Sequence, residues 1–289
     1  MKIGIIIPAH NEEDYIEKTL DSLVNQTHLP DLLCVVDDHS TDNTSEIISH
    51  YADQFDWICM TTIKSSESRI PGGKVINAWN KGLAFLKHCD IVCKFDADLI
   101  FPDNYISELV KRFSEDEQLG VYGGILQILD NKQKWVDENI SDSNHVRGTI
   151  KAYKKKCLDE VGGLKTALGW DTIDVLLAQF NGWKTKTDAH LKVKHLRPTG
   201  SDYNPQNRVE AFYAMRYGYF ISMLASLKQE RYQFKKIGHL HRAYQNAKLN
   251  QIPFLVSEEE GRFIRKVRWK GIWRKFYNFL PFLDRKTLG

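Results

Sequence analysis

Short apolar runs that stop at acidic or polar residues, each followed by an amphipathic stretch, constrain this chain more than any other feature. Lys2–Ile7, Leu32–Val36, Trp57–Ile63, Asp90–Phe95 and Gly120–Leu129 read as strands. Glu12–Val24, Asp42–Tyr51, Val75–Leu86 and Tyr105–Phe113 read as the helices between them. Near-continuous hydrophobic strands alternating with helices predict an α/β fold with a mostly parallel sheet covered on both faces. The second half is less regular. Thr149–Tyr153 is extended, Lys155–Val161 is a short helix ending at Gly162-Gly163, and Asp171–Phe180 is a helix ending at Asn181-Gly182. Thr185–His195 alternates like a strand, and Val209–Lys228 and Gly238–Ala247 read as helices.

With 289 residues and 42% hydrophobic content the chain can bury a sizeable core. A net charge of +3 is too mild to imply nucleic acid, and no recognised nucleic-acid module is present. No apolar run is long enough to span a bilayer, and the start, Met1 to Pro8, reads as a strand rather than a leader. Five cysteines, Cys34, Cys59, Cys89, Cys93 and Cys157, lie mostly in strand-like runs and read as reduced thiols in a cytoplasmic protein. Cys89, Cys93 and His88 lack the second ligand pair that a zinc site needs.

The chemistry is concentrated where the strands stop. Ligands in open α/β sheets bind beyond the carboxyl ends of the strands. The first strand ends in Pro8-Ala9-His10-Asn11-Glu12-Glu13, the second in Asp37-Asp38-His39-Ser40-Thr41-Asp42, and the fourth in Asp96-Ala97-Asp98. Asn11, Asp37 and Asp42 could each merely cap the next helix. Convergence of all three polar ends on one sheet edge is harder to explain by capping. Asp96 and Asp98, spaced i, i+2, can together hold a hard cation, and such an ion holds a phosphate.

Four segments carry a more specific signal. Ile7-Pro8-Ala9-His10-Asn11-Glu12, Val35-Val36-Asp37-Asp38-His39-Ser40-Thr41-Asp42-Asn43-Thr44, Gly73-Lys74-Val75-Ile76-Asn77 and Asp96-Ala97-Asp98 follow one another in an order and spacing that resembles the family 2 glycosyltransferases. The resemblance covers roughly residues 1–200 and implies an inverting enzyme with the GT-A fold. It implies a nucleotide-sugar donor, with UDP favoured, and Mg²⁺ or Mn²⁺ as cofactor. By similarity Pro8, His10 and Glu12 would line the nucleoside pocket. Asp38 would accept from a pyrimidine N3–H, with Asp37 sharing that role. Lys74, after two glycines, would meet the diphosphate or the base. Asp96 would touch ribose or metal, Asp98 would hold the metal, and His195 would complete the metal shell or contact diphosphate. Asp171 would be the general base, with Asp174 the competing position. Trp170 stands where the family usually has Glu. Gly148 would leave room for the donor sugar. Lys151, Lys154, Lys155 and Lys156 would either meet an acceptor phosphate or form a solvated basic face.

These readings divide the chain into a catalytic region, 1–200, and a helical extension, 201–289. Within the first, 1–100 would bind nucleotide and 101–200 acceptor. The basic, aromatic tail Arg262–Lys286 carries much of the net charge. It would lie on anionic lipid at the inner membrane face, or pack on the catalytic domain or a second subunit of a homo-oligomer. The acceptor would be a glycan or a lipid-linked species. A sugar-nucleotide nucleotidyltransferase would need a Gly-rich basic loop after the first strand, and Pro-Ala-His-Asn-Glu-Glu stands there instead. A non-catalytic membrane scaffold is disfavoured by the presence of Asp96, Asp98 and Asp171.

Overall fold

The computed structural model describes residues 1–65, 72–138, 145–197, 205–230 and 233–279. Two compact units are present, Met1–Gly200 and Ser201–Gly289.

The first unit runs β1 (Ile3–Ala9), α1 (Ile16–Val24), β2 (Leu32–Asp37), α2 (Thr44–Gln54), β3 (Ile58–Thr62), α3 (Gly73–Leu83), β4 (Ile91–Phe95), β5 (Leu99–Ile100) and α4 (Tyr105–Glu115). It continues with β6 (Leu119–Leu129), β7 (Trp135–Asp137), β8 (Ile150–Lys154), α5 (Lys155–Glu160), α6 (Trp170–Phe180) and β9 (Lys184–His195). The sheet order is β3-β2-β1-β4-β8-β6-β9-β5, with β7 on β6. β1 to β4 are mutually parallel. β8 enters antiparallel between β4 and β6, and β6 and β9 are parallel. Residues from both halves of the unit therefore build one mixed sheet.

Strand periodicity sets the two faces. Ile3, Ile5 and Ile7 of β1 join Leu33, Val35, Ile91, Cys93 and Phe95 in a core shared with Ile16, Leu20 and Leu23 of α1. The opposite face takes α3, where Gly82 lets the helix approach Ile6 and Val36. The chain steps from β1 outward to β2 and β3, then returns to place β4 on the other side of β1. The connections after β1 and β4 lead to α1 and α4, whose apolar faces share one core, so the loops after β1 and β4 border a common crevice at the carboxyl edge.

Several boundaries differ from the sequence expectation for identifiable reasons. Helix α1 starts at Ile16, not Glu12, because Asn11 has φ 54° and residues 12–15 form a turn. The stretch Val209–Lys228 is two helices, α7 (Pro205–Ala214) and α8 (Tyr219–Gln229). Arg216 at φ 54° and Gly218 at φ 76° break it. The short β5 and β7 had no periodic signal.

The second unit continues with α9 (Ile237–Leu249) and α10 (Glu258–Phe279), and α7, α8 and α9 share a small core of Val209, Met223, Leu240 and Ala243. A capping box opens α10: Glu260 N–H donates to Ser257 Oγ (3.2 Å), and Ser257 N–H donates to Glu260 Oε2 (2.6 Å). Residues 280–286 of the predicted tail lie outside the described residues.

The β6–β9 ladder slips between Gly123 and Ile125. There the backbones come so close that a Cβ on Gly124 would lie 1.9 Å from the Leu191 carbonyl oxygen. Gly124→Ala is expected to cost about 3 kcal/mol through forced separation of the strands. Urea unfolding checks this, and a loss below about 0.5 kcal/mol would contradict the close approach.

Candidate active site

Every strand of the parallel set ends in a loop tied to its neighbour. After β1, Asn11 Oδ1 accepts from Thr41 N–H (2.8 Å), and Glu12 N–H donates to Thr44 Oγ1 (2.7 Å). His10 Nδ1 donates to the Asp38 carbonyl (2.7 Å). Asp38, buried, accepts from Ser65 N–H through Oδ1 (2.7 Å). Asp37 is spent within its own loop. Its Oδ1 accepts from Ser40 N–H (3.1 Å) and Ser40 Oγ (2.5 Å), and its Oδ2 from Ser45 Oγ (2.7 Å). These bonds organise the loop that carries Asp38. Pro8 is half-buried opposite Val36, while His10 and Lys74 are exposed.

The Asp96-Ala97-Asp98 turn is clamped from below by Thr19, a fully buried residue of α1. Its hydroxyl donates to the Ala97 carbonyl (2.7 Å) and accepts from Leu99 N–H (2.9 Å). Nothing in the periodicity of α1 marks Thr19 beyond a polar residue on the buried face. The clamp separates the two carboxylates. Asp96 pairs with the buried Lys94 ammonium. Asp98 turns toward β9, whose pairing with β5 sets Leu99 opposite His195. Asp98 Oδ2 lies 3.4 Å from His195 Nε2 and accepts from Arg197 Nε (2.8 Å). Burial opposes its ionisation, but His195 and Arg197 prevail and hold its pKa below the ordinary carboxylate value. Asp98 Oδ1 is buried without a hydrogen-bond partner among the described residues.

Arg197 was not singled out by sequence reasoning, although it lies two residues past His195. It bridges the crevice: Nη2 donates to Glu12 Oε1 (2.6 Å), and the guanidinium lies 5.0 Å from the Tyr15 ring centroid. Burial raises the Glu12 pKa, with Arg197 working against that shift.

At α6 the structure separates Asp171 from Asp174. Asp174 is buried. It accepts from Lys151 Nζ through both oxygens (2.7 Å each) and from Tyr153 OH (2.5 Å). Its pKa is raised by burial, against the pull of Lys151 and Tyr153. Lys151 is thereby paired and buried, which sets it apart from the solvated basic face that was one of its two readings. Lys154 donates to the Glu117 carbonyl (2.9 Å) and Lys155 pairs with Asp159 (2.5 Å), so neither is uncommitted. Asp171 is half-buried at the start of α6, and no hydrogen bond reaches its carboxylate among the described residues. Gly148 packs so closely on Asp171 that an added Cβ would sit 2.9 Å from the Asp171 Cβ. Next in sequence, the Thr149 carbonyl accepts from Asp96 N–H (3.0 Å). Asp96 and Asp171 are thus neighbours through one short segment.

The chain matches the family described as Glycosyl transferase family 2 over residues 4–164, more than half its length. The chain belongs to this family. Among relatives, a "Probable glycosyltransferase YdaM" of Bacillus subtilis (strain 168) is 32% identical over 131 residues, 45% of this chain and 30% of that protein. The match therefore spans less than half of the relative's length. Among solved structures, S. aureus TarS 1–349 in complex with UDP aligns with a TM-score of 0.58 at 18% identity, covering 75% of this chain and 64% of that one. Mannosyltransferase PcManGT from Pyrobaculum calidifontis, in complex with GDP-Man and Mn²⁺, aligns at 0.57 and 18% identity, covering 96% and 82%. These likenesses establish the GT-A fold.

The PcManGT structure of this fold holds a divalent cation. The donor set is consistent with one: Asp98 offers a buried oxygen without a partner, and the His195 imidazole stands beside the same carboxylate. No cluster of three His, Cys, Asp or Glu ligands occurs among the described residues. Asp96 is paired with an ammonium, whereas Asp98 keeps one buried oxygen without a hydrogen-bond partner among the described residues.

The two aspartates of α6 separate by experiment. Asp174→Ala leaves the Lys151 ammonium buried and unpaired, and is expected to cost about 3–5 kcal/mol. Asp171→Asn should leave stability within about 0.5 kcal/mol of wild type. Equal losses in chemical denaturation would contradict the division between a structural and an available carboxylate.

Proposed function

We propose that this chain transfers a sugar, with inversion, from a nucleotide-sugar donor to an acceptor hydroxyl on a glycan or lipid-linked glycan. One observation carries the reading. At the crevice between the β1 and β4 loops, Asp98 presents a buried unsatisfied oxygen. Asp171, reached through Gly148–Thr149, presents a carboxylate to which nothing bonds among the described residues.

In this reading Pro8, His10, Glu12 and Asp38 form the nucleoside pocket, and Asp37 holds the loop that presents Asp38. A carboxylate acceptor at Asp38 suits the N3–H of a pyrimidine, which favours UDP. Lys74, exposed at the start of α3, faces the diphosphate. Asp96, neutralised by Lys94, accepts from the ribose rather than holding the metal. Asp98 and His195 would hold Mg²⁺ or Mn²⁺, which when bound stabilises charge on the departing nucleoside diphosphate. Asp171 takes the proton of the acceptor hydroxyl. The acceptor oxygen bonds to the anomeric carbon as the bond to the diphosphate breaks, and that electron pair leaves with the diphosphate.

Asp98→Ala and Asp171→Asn are each expected to lower transfer at least about 100-fold. Only Asp98→Ala should also abolish the Mn²⁺-dependent thermal shift produced by the donor nucleotide. Turnover of Asp98→Ala at the wild-type rate would exclude this site. A panel of UDP, dTDP and GDP in the same shift assay identifies the donor class.

The reading extends to a membrane-proximal acceptor. Residues 1–200 carry 23 basic and 30 acidic side chains, whereas residues 201–289 carry 17 and 7, a net +10. Along α10, Trp269, Trp273, Phe276 and Tyr277 are exposed, and no Asp or Glu occurs from 261 to 279. Among the described residues no helix is long and apolar enough to cross a membrane. Aromatic rings among basic residues fit peripheral contact with anionic lipid at the cytoplasmic face. The protein should sediment with phosphatidylglycerol vesicles and not with phosphatidylcholine vesicles. The Trp273→Ala/Phe276→Ala variant should bind about tenfold more weakly. Absence of sedimentation, or aromatics that instead drive concentration-dependent dimerisation, would rule out the lipid contact.

A further inference from the structure

Two lysines confront each other beneath the candidate site. Lys94 of β4 and Lys151 of β8 are direct register partners on adjacent antiparallel strands. Both are buried. Like charges directly opposite on a sheet repel, and each ammonium is costly to remove from water. Each has its own carboxylate, Asp96 for Lys94 and Asp174 for Lys151. A third group touches both. The Trp170 ring centroid lies 5.6 Å from Lys94 Nζ and 5.5 Å from Lys151 Nζ.

The surroundings make room for that ring. A Cβ on Gly148 would lie 3.0 Å from the indole Cη2 and Cζ2, and one on Gly72 would lie 3.2 Å from Cδ1. Gly72 has φ +78° and its Cβ would also meet the Ala167 carbonyl oxygen at 2.8 Å, so a side chain there is excluded twice over. The indole thus joins the start of α3, the start of α6 and two neighbouring strands.

We propose that Trp170 is a positioning residue that keeps the two lysines assigned to separate carboxylates. An aromatic face attracts an ammonium without accepting it as a carboxylate would. Trp170 therefore holds both lysines while leaving Lys94 on Asp96 and Lys151 on Asp174. A carboxylate at the same position would compete for both ammonium groups and release Asp96 and Asp174. Lys151 also donates to the Asp171 carbonyl (2.5 Å), so the same lysine fixes the helix start that bears the candidate base. The catalytic consequence rests on the glycosyl-transfer reading above, whereas the grip on the lysines does not.

The test is acetylation footprinting of the full chain by mass spectrometry, read beside transfer kinetics, for Trp170→Phe, Trp170→Leu and Trp170→Glu. In the wild type Lys94 and Lys151 should be among the slowest lysines to react. Trp170→Phe should keep them within about threefold of that, and Trp170→Leu should speed their acetylation about tenfold. Trp170→Glu should keep both protected by ion pairing. In transfer, Trp170→Leu and Trp170→Glu should both lower kcat about tenfold, with Trp170→Phe near wild type. Thermal melting confirms that each variant is folded. If Trp170→Leu unfolds, Trp170→Met takes its place in the footprint, and the contrast of Trp170→Phe with Trp170→Glu, equal protection but unequal kcat, still decides the assignment of carboxylates. Wild-type protection in a folded Trp170→Leu variant would overturn the grip. Wild-type kcat in Trp170→Glu would overturn the assignment of carboxylates. A wild-type protein that transfers no sugar would defeat the glycosyl-transfer reading, and the footprint would still decide whether the indole holds the lysines.

Discussion

Acidic side chains can gather at this sheet edge because the chain supplies its own cations from beneath and beside them. Glu12, Asp96, Asp98 and Asp174 each meet Lys94, Lys151 or Arg197. Without those partners the buried carboxylates would repel one another and would take up protons rather than stay charged. The compensation is uneven. Asp174 is enclosed by Lys151 and Tyr153, Asp96 is paired with Lys94 but partly exposed, while Asp98 keeps one oxygen unsatisfied and Asp171 stands outside the pairing. Charge left over in a built site is what a ligand can use.

The geometry of that leftover charge follows from topology. β1 lies between β2 and β4, so the loops leaving β1, β2 and β4 line one carboxyl edge, with α1 and α4 packed into the same core beneath it. Thr19 then sets the depth of the turn after β4 by bonding both of its flanking peptides. Arg197 closes the crevice from the far end of the sheet, reaching Glu12 across 185 positions of sequence. Membership of glycosyl transferase family 2 and the proposed transfer chemistry both rest on this edge, although the residues that shape it come from four separate strands and two helix starts.

Much of this was legible in advance, and the reasons are local. Ile3, Ile5, Ile7, Ile91, Cys93 and Phe95 alternate along two apolar strands, and burying them removes a continuous hydrophobic face from water. The Asp96 and Asp98 pair was visible because charged residues at the end of such a run demand an explanation. Roles were harder to read. Asp37 and Asp38 are adjacent and chemically identical, yet Ser40 and Ser45 consume one of them. Asp171 and Asp174 lie one turn apart, yet only the second points at Lys151. Lys151 read as an acceptor-phosphate contact or part of a solvated basic face, and Lys94 carried no signal, since nothing local indicates that the two strands would pair in register.

By itself, the sequence determined the alternation of strands and helices, the sheet edge at which polar residues collect, and the family, because these depend on hydrophobic periodicity and on motifs contiguous in the chain. Only the tertiary structure decided which carboxylate is spent and which remains available. That choice depends on the distance between charges on different strands. Such distances are set by register and burial, which no stretch of neighbouring residues encodes.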